Sequence, residues 1–129
     1  MDSDELRAVA VFADLSDEDL DWISQRAHSV EVPIGTHLVS KGDVAYKFFG
    51  IIEGYASVSV DGTPVASLGA GACFGEMAVI EAERRNADVV ATTPMKLVTL
   101  LAWDLREMAE KLPALSDSIE KVMKARGEL

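Results

Sequence analysis

The spacing of apolar residues changes twice along this chain and divides it into three stretches. Residues 3–29 carry apolar positions at helical spacing. Leu6, Val9, Ala10 and Phe12 make one stripe, and Leu20, Ile23 and Ala27 continue a period near 3.6 residues. Ser16 follows Leu15 as a good N-cap, and Asp17, Glu18 and Asp19 suit the positive end of a helix dipole. From Val30 the period becomes two: Val30, Val32 and Ile34 alternate with Glu31 and Pro33, and Gly35-Thr36 turns into His37-Leu38-Val39. Lys41-Gly42-Asp43 predicts a further turn. β-rich runs cover 48–52, 55–60, 65–68, 89–91 and 97–101, punctuated by Glu53-Gly54, Asp61-Gly62, Gly69-Ala70-Gly71 and Thr93-Pro94. Asp61-Gly62 predicts a two-residue hairpin turn in which both residues take positive φ. Many short strands with glycine punctuation predict a sandwich or barrel, and glycines at strand corners fit a jelly roll.

The third stretch is helical again. Asp104 is placed to cap a helix over 105–111, Pro113 interrupts it, and a last helix covers 114–126. Leu115, Ile119, Val122 and Met123 share one face of that last helix. The stripe could pack on the β-core or pair with a second copy in a homodimer, and the pattern leaves both open. The expected fold is mainly β: an eight-stranded jelly-roll β-barrel with an N-terminal helical lead-in and two C-terminal helices. We expect one domain over 1–129, divided into a lead-in (1–29), a β-roll (30–102) and C-terminal helices (103–127).

Composition narrows the function. A chain of 129 residues with 49% hydrophobic and 26% charged residues is an ordinary globular domain with room for a core. The net charge of −10 argues against nucleic-acid binding, which needs clustered basic residues, and against an anionic membrane surface. A single cysteine, Cys73, excludes an internal disulfide and a cysteine-ligated cluster or zinc site; it reads as a small core residue. No run approaches the ~20 apolar residues of a membrane span, and MDSDELRAV is not a signal peptide, so a cytoplasmic location is expected. His28 and His37 fall on different predicted elements without partners at ligand spacing, so no metal is expected. Trp22 and Trp103 read as packing anchors. Neither a nucleophile–base pattern nor a glycosidase-like carboxylate pair is visible, so no catalytic residues and no enzyme activity are expected.

Candidate chemistry concentrates in FGEMAVIEAERRNADV, residues 74–89. Gly75 lets backbone approach a ligand closely. Met77-Ala78-Val79-Ile80 can open a short helix, whose free N–H groups and positive dipole end favour an anion. Arg84-Arg85 follows Glu76 by eight and nine residues, and a guanidinium facing those N–H groups completes a site for one phosphate. Glu76 has the wrong sign for phosphate but suits a neighbouring pair of hydroxyls. Arg84 can add to the field or face water. Asn86 can bond backbone in a turn or touch the ligand.

This segment resembles the phosphate-binding cassette of the cyclic nucleotide-binding domain family, to which the catabolite activator protein and kinase regulatory subunits belong. That cassette reads roughly F-G-E-[LM]-A-L, a variable run, then R-[ST]-A-x-V. Phe74, Gly75, Glu76, Met77, Ala78, Arg85, Ala87 and Val89 fall on the pattern. Arg84 stands where a proline is common, and Asn86 replaces Ser or Thr. The resemblance runs from about Val11 to Arg126. It implies that Glu76 binds the ribose 2′-hydroxyl, Arg85 binds the cyclic phosphate, and backbone N–H groups around Met77 and Ala78 and at Ala87 complete the anion nest. It implies also that Val58 and Leu68 line the base pocket, with Leu115 or Ser116 as a lid.

The expected function is reversible binding of a cyclic nucleotide, cAMP ahead of cGMP, by a stand-alone regulatory sensor that relays occupancy to an effector protein through its C-terminal helices. The alternatives are an interaction module of the same fold that has lost its ligand, and a cupin-like enzyme, for which two distant histidines are too few.

Overall fold

The structure, a computed structural model, describes residues 2–40, 47–74 and 87–125, with the side chains at 102 and 122–125 outside the description. The predicted turn at Lys41-Gly42-Asp43 lies outside the described residues.

The helical lead-in forms three short pieces rather than one continuous element: α1 (Ser3–Leu6), a 3₁₀ turn (Ala10–Phe12) and α2 (Asp17–Ser24). Arg7 braces the second break. Its guanidinium donates to the carbonyls of Ala13 and Leu15, at 3.5 and 3.3 Å, and pairs with the Asp17 carboxylate. Carbonyls that a continuous helix would use internally are thus satisfied by a side chain. Ser16 caps α2 as expected, its hydroxyl accepting from the Asp19 N–H at 3.1 Å.

Among the described residues eight strands follow: β1 (His28–Val32), β2 (His37–Val39), β3 (Lys47–Glu53), β4 (Ala56–Val60), β5 (Thr63–Leu68), β6 (Cys73–Phe74), β7 (Asp88–Ala91) and β8 (Met95–Leu101). The β4–β5 turn takes the predicted conformation, with φ of 51° at Asp61 and 82° at Gly62. The strands form two antiparallel four-stranded sheets, in the orders β1-β8-β3-β6 (sheet A) and β2-β7-β4-β5 (sheet B). Among the described residues no strand pairing joins the two sheets, so they stack as a sandwich, and the expected jelly-roll β-barrel is corrected to two stacked sheets.

The reason lies in β3 and β8, which are apolar on both faces. Phe48, Val98 and Leu100 point into one core with the helices; Phe49, Ile51, Met95 and Leu97 point into a second core shared with sheet B. Strands like these need a packed layer on each side. The molecule is therefore layered: helices, sheet A, sheet B. Gly50 marks how closely the helical layer approaches. A Cβ there would sit 2.7 Å from a Val98 methyl and 2.8 Å from a Val9 methyl.

Two other expectations are revised. The alternation of Val30, Val32 and Ile34 does not mark a half-buried strand. β1 lies at a sheet edge and begins at His28; Val30 is 37% exposed, and Ile34 lies beyond the strand and is 64% exposed. Asp104 does not cap its helix, because β8 runs straight into α3 (Ala102–Lys111), whose N-cap is Leu101 without a side-chain bond. Trp103 is exposed and is no packing anchor, whereas Trp22 packs on the helical core. Pro113 begins α4 (Pro113–Ala125) as its first residue, where its missing N–H costs nothing. Leu115 and Ile119 of α4 are buried in the helical core, so the described part of the stripe packs on the chain's own interior. Val122 and Met123 lie beyond the described side chains.

One ion pair ties α1 to sheet A. The Lys96 ammonium lies 3.0 Å from the Glu5 carboxylate on the helix-facing side of β8. Hydrogen bonding to Glu5 and its charge raise the Lys96 pKa above the usual 10.5; partial desolvation opposes this, and Glu53 and Glu31 add to it.

Candidate functional site

β6 is two residues long, yet several contacts hold it where the 74–89 segment begins. Phe74 pairs with Phe49 and Cys73 with Gly50 across the ladder to β3. The Phe74 ring stacks on Phe49 with centroids 4.9 Å apart and planes inclined by 14°. Just before β6, the Gly71 N–H donates to the Ile51 carbonyl, while the Gly71 carbonyl accepts from the Ala10 N–H, each at 2.8 Å. Gly71 takes φ of 91°, a left-handed conformation that favours glycine. The approach to the segment is thereby bonded to sheet A and to the N-terminal 3₁₀ turn.

The segment ends on the other sheet. β7 lies between β2 and β4, with Asp88 opposite Ser59 and Val89 opposite Val58. Residues 75–86 thus connect the Phe74 end of sheet A to the Ala87 end of sheet B. Gly75, Glu76, Met77, Ala78, Arg84, Arg85 and Asn86 lie outside the described residues. Ala87, half-buried, directly precedes β7.

Val58 and Leu68 come together on sheet B. Val58 on β4 faces Ala66 and Val89 across its two ladders, and Leu68 on β5 lies opposite Ala56. Both are half-buried and pack against the inter-sheet core that contains Phe74 and Val89. The start of the segment, its return strand and these two apolar side chains therefore border one region. Such a border offers half-buried apolar surface between the two ends of the segment.

The two lid candidates do not behave alike. Leu115 is fully buried in the helical core, which sheet A separates from the inter-sheet core, whereas Ser116 is exposed. His28 and His37 are exposed on different sheets, and among the described residues no group of three or more His, Cys, Asp or Glu could hold a metal ion. Cys73 is buried on the helix-facing side of sheet A. No described helix is long and apolar enough to cross a membrane.

Three positioning features escaped the sequence reading. The Phe49–Phe74 stack has a signal in the Phe48-Phe49 doublet, which a strand must split between its two faces. Thr99 is buried in a row of Cα partners that runs His28, Thr99, Phe49, Phe74, and its signal is one hydroxyl in an otherwise apolar run. The Ala10–Gly71 bond has none, since it joins backbone groups far apart in sequence.

Comparison with known proteins agrees with this geometry. The family model described as Cyclic nucleotide-binding domain matches residues 29–111. The chain is 36% identical over 114 residues to a cyclic nucleotide-gated potassium channel of Rhizobium etli; the match takes in 88% of this chain and 32% of the channel. The chain spans about a third of the length of the first curated relatives it matches. A solved structure of a Geobacter metallireducens protein named for cyclic nucleotide binding superposes with a TM-score of 0.83 at 26% identity, covering 97% of this chain and 94% of that one. The regulatory subunit of a cAMP-independent protein kinase A from Trypanosoma brucei shares the fold, with a TM-score of 0.81 at 21% identity, over 94% of this chain and 45% of that one. The match to the family model covers well over half of the sequence and includes both ends of the 74–89 segment, and the chain belongs to the cyclic nucleotide-binding domain family.

Proposed function

We propose that this chain binds a cyclic nucleotide, cAMP in preference to cGMP, between the 74–89 segment and the inner face of sheet B, and that it acts as a regulatory sensor rather than a catalyst. The observation that carries the reading is a convergence. A segment with the Gly75-Glu76 and Arg85 pattern leaves sheet A at Phe74 and returns at Ala87, beside Val58 and Leu68. In this reading Arg85 bonds the cyclic phosphate, helped by N–H groups around Met77, Ala78 and Ala87. Glu76 accepts from the ribose 2′-hydroxyl. Val58 and Leu68 cover the base. The strand orders β1-β8-β3-β6 and β2-β7-β4-β5 support the jelly-roll form of the fold.

A cytoplasmic location is part of the proposal, since that is where a cyclic-nucleotide messenger would be met. The Geobacter protein, of nearly equal length, supports a stand-alone sensor; the channel relative supports a regulatory domain of a longer chain. Occupancy would pass through α3 and α4 to an effector protein, with the buried Leu115 and Ile119 transmitting movement of the core. A homodimer would use the part of α4 beyond those two residues.

Isothermal calorimetry with cAMP and cGMP tests the ligand: saturable binding, tighter for cAMP, is expected. No binding of either would favour a ligand-free interaction module, a reading motivated by the trypanosome relative named as cAMP-independent. Hydrogen exchange tests the relay. Amides over 116–123 should exchange more slowly with ligand bound, and unchanged rates at confirmed saturation would remove α4 from the relay.

A further inference from the structure

The helical layer contains a cleft on the opposite side of sheet A from the proposed nucleotide site. It lies between α2 and α3 and encloses about 490 Å³. Trp22 and Leu112 supply its apolar floor; both are half-buried and pack on the helical core. Carboxylates rim it: Glu18, Asp19 and Asp21 on α2, and Glu107 on α3. First-turn acids are expected from the helix dipole, which accounts for Glu18 and Asp19. It does not account for Asp21, in the second turn of α2, or for Glu107, in the middle of α3.

The two cations of the cleft are already engaged. Arg26 stacks on the Trp22 ring at 3.9 Å and donates to the Trp22 carbonyl at 3.1 Å. Lys111 pairs with Glu107 at 3.2 Å. Among the described residues, Glu18 and Asp21 make no side-chain ion pair. Arg26 keeps its charge and covers one face of the Trp22 ring, so the floor open to a partner is Leu112 and the rest of Trp22, inside a rim of four carboxylates and two cations on a chain whose net charge is −10.

We infer that this cleft docks a basic amphipathic helix of a partner protein, with apolar side chains on the Trp22–Leu112 floor and Lys or Arg against Glu18 and Asp21. Charge complementarity selects this occupant. An acidic or neutral segment would desolvate the rim carboxylates without pairing them, and a second copy of this acidic chain would add like charge. A tryptophan on the floor of a cleft is also a residue type that commonly dominates binding at such sites. The inference stands apart from the nucleotide reading, because sheet A separates the two sites.

The test uses the full 129-residue chain and a fluorescein-labelled 16-residue amphipathic helix with Leu on one face and Lys and Arg on the other. Controls are a scrambled peptide of equal composition and a peptide in which Glu and Asp replace the basic residues. Fluorescence anisotropy should show saturable micromolar binding of the basic helix, at least tenfold weaker binding of the scrambled peptide and none of the acidic one. Amide chemical-shift changes should map to α2 and α3. Glu18→Lys/Asp21→Lys changes only exposed side chains, so it keeps the fold; it should weaken the basic helix tenfold or more and admit the acidic peptide. Trp22→Ala should weaken the basic helix by a similar factor at unchanged salt dependence. Equal binding of basic and scrambled peptides, an unaffected double variant, shifts mapping elsewhere, or no binding at 100 µM peptide would each overturn the inference.

Discussion

Sheets A and B have the same number of strands, the same antiparallel pairing and one shared core, yet their strands are written differently. In sheet A, β3 and β8 carry apolar residues on both faces, because helices cover one face and sheet B the other. In sheet B, Ala56, Val58, Val89 and Ala91 turn inward, while Ser57, Ser59, Asp88 and Val90 face outward; β5 is exposed along most of its length. Sheet A is thus a supporting wall with little freedom to vary. Sheet B closes one side only, and its Val58 and Leu68 are half-buried, at the place proposed for the ligand. The contrast separates the wall that carries stability from the sheet where recognition is proposed.

The largest effect should come from weakening the wall. Phe48 is fully buried and meets Phe12 edge-on at 5.9 Å. Phe48→Ala should cost about 3–5 kcal/mol of stability in urea unfolding. Val58→Ala, at a half-buried position of sheet B, should cost only about 1 kcal/mol. Equal losses would show that the two sheets carry equal weight.

Arg85→Ala should invert that pattern. Cyclic-nucleotide affinity should fall by about 2–5 kcal/mol, the range for removing one partner of a desolvated charge pair, with the unfolding midpoint unchanged. A folded variant that binds cAMP within a few-fold of the parent would separate Arg85 from the phosphate.

Gly50→Ala probes how tightly the helical layer lies on sheet A. The added methyl meets β-branched Val98 and Val9, which have few rotamers with which to retreat. A loss of about 1–3 kcal/mol is expected from overpacking. A neutral result would mean that the N-terminal helices can ride away from the sheet at little cost.

The smallest effect is electrostatic. Lys96 has its pKa raised in the folded chain by Glu5, so the pair's contribution is fully present below 10.5 and is lost as pH rises through the higher folded value. Lys96→Met should lower the melting temperature slightly at neutral pH, and the difference from the parent should close at strongly alkaline pH. A difference that persists there would assign the effect to packing of the lysine stem.

Much of this was legible along the chain because local rules decide it. Ser16 caps α2, Asp61-Gly62 makes the hairpin turn, and the runs around Phe48 and Leu97 are strands, since capping, positive φ and β-propensity act over a few residues. The family was legible too, from Phe74, Gly75, Glu76, Arg85 and Ala87, because its motif condenses into one continuous segment. What sequence could not decide is which face of each apolar run meets which layer. Phe48 and Phe49 are identical neighbours in sequence that enter different cores; Val30 alternates correctly yet sits at an exposed edge; Leu115 reads as a lid yet lies in the helical core. Periodicity reports that a side chain is apolar and which neighbours share its face. Burial depends on what packs against that face, and only the stacking of helices on sheet A and of sheet A on sheet B supplies that partner.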